Sequence, residues 1–301
     1  MLVRPLFALS LVALSAGSAL AAVPAFPAAD AFPALGQPPT VEILTPGKGK
    51  AAPLRWKAQK GASEQVSMTL DTKMAITVAG ESMPMDMTLR MDMDGQVLDT
   101  TPDGGAVVSM TVTDTDLKMP GLDENPEAAA MVRGMLRGLV LEATMDARGA
   151  ITKSEVRGAS EAMQAFTGQM DSSLEQLAIP FPEGPVAVGA TWRALSTQQT
   201  NGMTVRMVTT YKLVKLAGNV GTVEVGVVQE AAAQTMEMNG TKAELESLSS
   251  TGSGEMTFDL TRPMFAKAKV SVDMEARMNV MGQAATMKVT ARVGMAPRGT
   301  K

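Results

Sequence analysis

The 301-residue chain has no cysteine and no histidine, a single tyrosine, and only 3% aromatic residues. Without cysteine it can form no disulfide and no thiolate nucleophile, and it has no residue on which a bacterial lipoprotein anchor could be built. Without histidine, the Ser-His-Asp and Cys-His nucleophile systems are excluded, as is histidine-ligated zinc. Catalysis would have to rest on carboxylates, lysine or Tyr211. The paired carboxylates, Glu244 with Glu246 and Asp273 with Glu275, stand at i, i+2 among charged neighbours. In that setting they solubilise and protect strand edges rather than form an acid/base couple. The chain is therefore expected to be no enzyme and to need no cofactor. Charge of one sign is also missing: 27 basic and 31 acidic residues alternate along the chain. That leaves no basic stripe of the kind a nucleic-acid partner requires.

Long apolar runs are absent too. The stretch from Leu6 to about Ala19 is interrupted by Ser10, Ser15, Gly17 and Ser18 and is too short to span a bilayer. Preceded by Arg4 and followed by Ala19-Leu20-Ala21, it reads as a signal peptide over residues 1–21. Export to the periplasm or the exterior is the expected localisation. Residues 22–46 are rich in alanine and proline (Pro24, Pro27, Pro33, Pro38, Pro39, Pro46) and have no regular period. They are expected to be an extended or disordered tether. Residues 47–301 are then a single antiparallel β domain.

What the chain has in plenty is period-two patterning. From Ala266, alternate positions read Ala268, Val270, Val272, Met274, Ala276, Met278 and Val280, while Lys267, Lys269, Ser271, Asp273, Glu275, Arg277 and Asn279 lie between. A strand places the first set on one face, whereas a helix would scatter it. Met83, Met85, Met87, Leu89, Met91 and Met93 separate from Asp86, Thr88, Arg90, Asp92 and Asp94 in the same way. Further stripes run through Val66, Met68 and Leu70; Val108, Met110 and Val112; Met203 to Leu213; Val223 to Val227; and Ala285, Met287 and Val289. Turn signals divide them, including Asp94-Gly95, Asp103-Gly104-Gly105, Asn201-Gly202, Gly218-Asn219 and Met281-Gly282. Asp92-Met93-Asp94-Gly95 lacks the ligand spacing of a calcium loop and is read as part of such a turn. Two helices are expected mid-chain, near 126–137 behind the N-cap Asn125 and first-turn Pro126, and near 160–178. The second aligns Met163, Phe166, Met170, Leu174 and Leu177.

About eleven strands ~4.8 Å apart make a sheet roughly 50 Å wide, which two helices each ~10 Å across cannot cover. A strip of six buried apolar side chains is worth on the order of 10 kcal/mol as an upper estimate, so the face must find cover. The expected architecture is a mainly β fold whose large antiparallel sheet curls into a half-barrel around the helices. A two-sheet sandwich with no internal space is the alternative. A transmembrane barrel is disfavoured by the scarce aromatics and densely charged outer faces.

The long meander, the mid-chain helices and the leader resemble the periplasmic lipoprotein-carrier superfamily. The stretches Leu54-Arg55-Trp56-Lys57-Ala58-Gln59-Lys60-Gly61 and Pro185-Val186-Ala187-Val188-Gly189-Ala190-Thr191-Trp192 also resemble a bacterial family of secreted proteins of unknown function. The first resemblance implies a concave apolar cavity for acyl chains. The low aromatic content departs from it, because such carriers often line their cavities with aromatic rings.

Methionine, at 26 residues, is the compositional outlier. Its inward parity fits a core filler. It equally fits the soft lining of a cavity for a hydrophobic ligand, since an unbranched thioether repacks cheaply. The candidate lining residues are Met68, Met83, Met85, Met87, Met91, Met93, Met110, Met163, Phe166, Met170, Met207, Tyr211, Met274, Met278 and Met287. The expected function is non-catalytic binding or carriage of a lipid-like molecule. The alternatives are a ligand-free structural or interaction protein with a partner in the cell envelope, and a Cu(I)-binding protein using thioethers such as those of Met83, Met85, Met87, Met91 and Met93.

Overall fold

The structure is a computed structural model, and it describes residues 26–122, 124–158, 178–200, 202–238, 241–280 and 282–298. The expected leader (1–21) and the expected second helix, with Met163, Phe166 and Met170, lie outside the described residues.

The alternating stripes become strands. In chain order these are β1 (Thr40–Thr45), β2 (Ser63–Val78), β3 (Glu81–Thr100), β4 (Ala106–Lys118), β5 (Val140–Met145) and β6 (Ile151–Arg157). Then come β7 (Thr191–Thr200), β8 (Met203–Ala217), β9 (Val220–Ala231), β10 (Gln234–Met238), β11 (Thr241–Asp259), β12 (Arg262–Val280) and β13 (Gln283–Pro297). Among the described residues one α-helix, α1 (Pro126–Leu136), interrupts them, and the Asn125 side chain caps it by accepting from the Ala128 N–H at 3.1 Å.

All thirteen strands share a single antiparallel sheet in the order β1-β7-β8-β9-β11-β12-β13-β2-β3-β4-β5-β6, with β10 pairing the start of β11. Pairing of β13 with β2 joins the two meanders. The end strands β1 and β6 do not pair, so the sheet is open, and among the described residues there is no second sheet to make a sandwich. Its curl shows in the core. Leu89, Met91, Val112 and Leu141 from one half pack into the same cluster as Trp192, Tyr211, Leu213 and Val225 from the other.

Two irregular segments hold that curl. Trp56 donates its backbone N–H to the Ala147 carbonyl (2.8 Å) and Lys57 to Leu260 (2.6 Å), tying the β5–β6 turn to the β11–β12 turn across one end. Residues 178–190 form the second segment. Ile179, Phe181 and Val186 are fully buried in the cluster, and Phe181 meets Trp56 and Phe258 at centroid distances of 5.4 and 5.0 Å.

Two local expectations fail. Where a tether was expected over 22–46, β1 pairs with β7, Arg193 bonds Glu42 at 2.8 Å, and Thr197 donates to the Pro33 carbonyl at 2.6 Å. Proline confines strands to edges but does not forbid them, and β1 is an edge strand. Asp94-Gly95 is not a turn either. Strand β3 runs straight through it, with Gly95 opposite Glu64 on β2 and Met110 on β4. The hairpin instead closes at Ala79-Gly80, both with positive φ (52° and 88°), as a two-residue turn between amphipathic strands requires.

Candidate functional site

Register sorts the inward side chains into rows that cross the sheet. At the closed end, Trp192, Tyr211, Val225, Gly254, Val270, Val293, Leu70 and Leu89 face one another strand by strand. Toward the other end run two further rows. One includes Val272, Ala291, Thr72 and Met87, and the other Ser250, Met274, Val289, Met74 and Met85. The far end is sealed by a second core of Met203, Val205, Met236, Leu245, Leu248 and Met278.

Burial along these rows is uneven. Trp192 and Leu213 are fully buried at the closed end, and Leu245 and Ala276 at the far end. Between them Val272, Met274, Val289, Ala291, Met74, Ile76, Met85 and Met87 are all only half-buried. Strands ~4.8 Å apart make this stripe, on β12, β13, β2 and β3, about 15 Å across. It is apolar except for Thr72.

The expected lining residues therefore share a face but not a site. Met91 and Met93, with 6% and 4% exposure, belong to the closed-end core, against which Met68 and Met110 pack. Met68 lies in register between Met91 and Met295. Met278 belongs to the far core, with Met274 and Met287 packed on it. Met85, Met87 and Met274 lie in the half-buried stripe, and Met83 is exposed at its rim. Sequence reasoning missed Val289, Ala291, Val272 and Met74 as members of the stripe, although their parity was plain. What it could not supply was the position of the two cores along the strands.

Tyr211 and Met207 take part in a different feature, a cavity of about 320 Å³ where β6 and the turn before it face the inner side of β7 and β8. Tyr211 is buried, stacks on Trp192 at 5.5 Å and places its hydroxyl 3.4 Å from the Ala178 carbonyl. Burial pushes its ionisation well above the ordinary phenol range. A depression of about 550 Å³ is lined by the outward residues Lys73, Asp86, Asp273, Glu275, Lys288 and Thr290, and also by Met74, Ser250, Met274 and Val289 of the inward rows. Its outward charges answer one another, with Lys288 3.7 Å from Glu275 and Thr290 bonded to Asp273.

Among the described residues no three or more acidic side chains gather as a metal site. Asp92 accepts from Ser67 and faces Arg298 at 3.6 Å, and Asp94 accepts from Gln65, so the Asp92–Asp94 pair converges on no common point. Among the described residues no helix is long and apolar enough to cross a membrane. Among the described residues, Glu64 carries the one perturbed carboxylate on the inner face. Burial raises its pKa, opposed by Arg262 at 3.7 Å.

A family of unknown function (DUF6263) matches residues 139–264, a span that takes in the Pro185–Trp192 stretch. Among curated proteins no sequence matches the chain. A solved structure of lipovitellin, concerned with lipid–protein interactions, is similar with a TM-score of 0.45 and 12% identity. That likeness covers 80% of this chain and 25% of lipovitellin's, so this chain spans about a quarter of that protein. At that score it carries no argument.

Proposed function

We propose that the protein is an exported, non-catalytic binder of a lipid-like molecule, held against the half-buried stripe on the inner face of the sheet. The observation that carries this reading is the break in burial. Inward residues form a buried core toward each end of the sheet, and those between the two cores on β12, β13, β2 and β3 are only half-buried. Leaving that stripe in water forfeits ~25 cal/mol for each Å² of apolar surface, which an acyl chain would recover. The stripe also offers mobile thioethers at Met74, Met85, Met87 and Met274, which adapt to chains of different shape. Export is supported by the leader-like residues 1–21, and the lack of catalysis by the absence of histidine and cysteine.

Native mass spectrometry of the protein purified without detergent tests the reading. The expected spectrum carries an adduct of lipid mass that organic extraction removes and that a fluorescent fatty acid replaces. A bare-chain mass, together with no uptake of the fatty acid, contradicts it.

A further inference from the structure

Methionine at inward parity serves two different environments in this sheet. In the closed-end region Met295, Met68 and Met91 lie in register, and Met91 and Met295 are buried among apolar neighbours. The far core takes up Met203, Met236 and Met278 in the same way. Those thioethers fill space. Met74, Met85 and Met87 are only half-buried and Met83 is 57% exposed, so core filling does not account for them.

Register gathers these four around one point. Met74 on β2 stands directly opposite Met85 on β3, with Thr72 opposite Met87 and Ile76 opposite Met83. Directly opposed side chains have Cβ atoms about 4.5–5.5 Å apart and diagonal ones about 7–8 Å, within reach of long side chains. Met74 is therefore the hub, with Met85 across from it and Met83 and Met87 on its two diagonals. The thioether arm is unbranched and flexible, and a metal–sulfur bond adds a further ~2.3 Å. Met74, Met85 and either flanking methionine can thus close on one ion above the sheet.

The surroundings favour a soft ion. Lys73 and Asp86 oppose each other on the outer face, and Pro84 lies on that face too. One acidic residue shares the parity of the methionines, Glu81, exposed beside the Ala79-Gly80 turn. A single carboxylate does not make a hard-cation site, since Ca²⁺ takes about 6–8 oxygen ligands. Thioethers instead select Cu(I). An entry path is present as well. Strand β4 pairs with Thr88–Thr100 of β3, so among the described residues Glu81–Met87 is a free sheet edge, which is also why Pro84 is tolerated inside the strand.

We propose that Met74, Met85 and the flanking Met83 and Met87 form a Cu(I)-binding site, three thioethers at a time holding the ion. Relative to the grouping read from the sequence, Met91 and Met93 drop out, buried in the closed-end core, and Met74 joins. The site occupies the β2–β3 corner of the stripe and does not depend on a lipid occupying the rest.

The test is anaerobic titration of the full chain with Cu(I) against a colorimetric Cu(I) chelator, with X-ray absorption at the copper edge. The expected result is one Cu(I) per chain, bound more tightly than about 1 μM, in a first shell of sulfur. Met85→Leu weakens binding at least about tenfold, no less than the loss of an outer-shell partner costs a metal site. Met74→Leu/Met85→Leu abolishes it. Met131→Leu removes a thioether that is 67% exposed on α1 and leaves binding unchanged. Leucine conserves volume and apolar surface, so these variants fold and keep fatty-acid uptake, and the metal and lipid readings stand or fall separately. The proposal is overturned if the chelator strips all Cu(I), if the absorption spectrum shows no sulfur shell, if Met74→Leu/Met85→Leu binds as the wild type does, or if Met131→Leu weakens binding equally.

Discussion

Replacing Gly254 by alanine should be among the most damaging single-methyl additions to this sheet. Gly254 lies on β11 directly opposite Val270 of β12, on the inner face where the sheet curls. A Cβ there would collide with the Lys269 carbonyl and stand 2.7 Å from Val270 Cα. Both are backbone atoms, so no rotamer change relieves the contact, and β12 itself must move away. Overpacking of this kind costs about 1–3 kcal/mol and more where backbone has to shift. Gly226 on β9 and Gly294 on β13 supply controls in the same sheet, with nothing within 4 Å of an added Cβ and no positive φ. There alanine restricts the unfolded chain without a native penalty and should stabilise by ~0.4–1 kcal/mol. The gap between the two classes is thus about 1.5–4 kcal/mol by urea denaturation at constant m-value. Equal stabilities for Gly254→Ala and Gly226→Ala would refute the close approach of β11 and β12, and with it the account of the curl.

Other perturbations give separate checks. Because the folded-state pKa of Glu64 is raised above its ordinary 4.5, the fold binds its proton more tightly than the unfolded chain does. Its contribution is therefore full below that value and lost as pH rises through the folded pKa. The stability difference between wild type and Glu64→Gln, followed by denaturation against pH, should move against the wild type over that window; a flat difference contradicts the burial of Glu64. Trp192→Phe keeps the ring against Tyr211 but strands the Pro180 carbonyl, and should cost ~1–3 kcal/mol in the same assay, whereas a neutral result would deny the clamp on residues 178–181. Asn125→Ala should cost ~1 kcal/mol locally, read as faster hydrogen exchange in α1. Val289→Lys, on the half-buried stripe, should abolish uptake of the fluorescent fatty acid; unchanged uptake contradicts the site.

Strand identity and inward parity were legible in the residues because lysine, aspartate and arginine alternate with methionine and valine so regularly over β3 and β12. Register and termini were less so. Asp94-Gly95 carries turn chemistry, yet the strand continues because Val97 pairs with Val108 and packs with it, Ala106, Ala143 and Met145 in a small core of its own. The Pro/Ala-rich segment conceals β1, since the side chains that dock it (Glu42 to Arg193, Val41 into the core) find partners some 150 residues away. No local pattern announces such pairings. The stripe itself was half visible. Its composition was plain, but which part of each long strand stays half-open depends on where segments 54–57 and 178–190 cross the curl. The cavity beside β6 was invisible, because its walls come from five separate segments.

Photo-crosslinking with a diazirine-bearing fatty acid, mapped by peptide mass spectrometry, probes the half-open stripe most directly. Adducts should fall on inward residues of β12, β13, β2 and β3, chiefly Met274, Val289, Met74 and Met85. Adducts confined to the outward set around Lys73, Asp86 and Glu275, or none above background, would contradict a lipid held on the inner face.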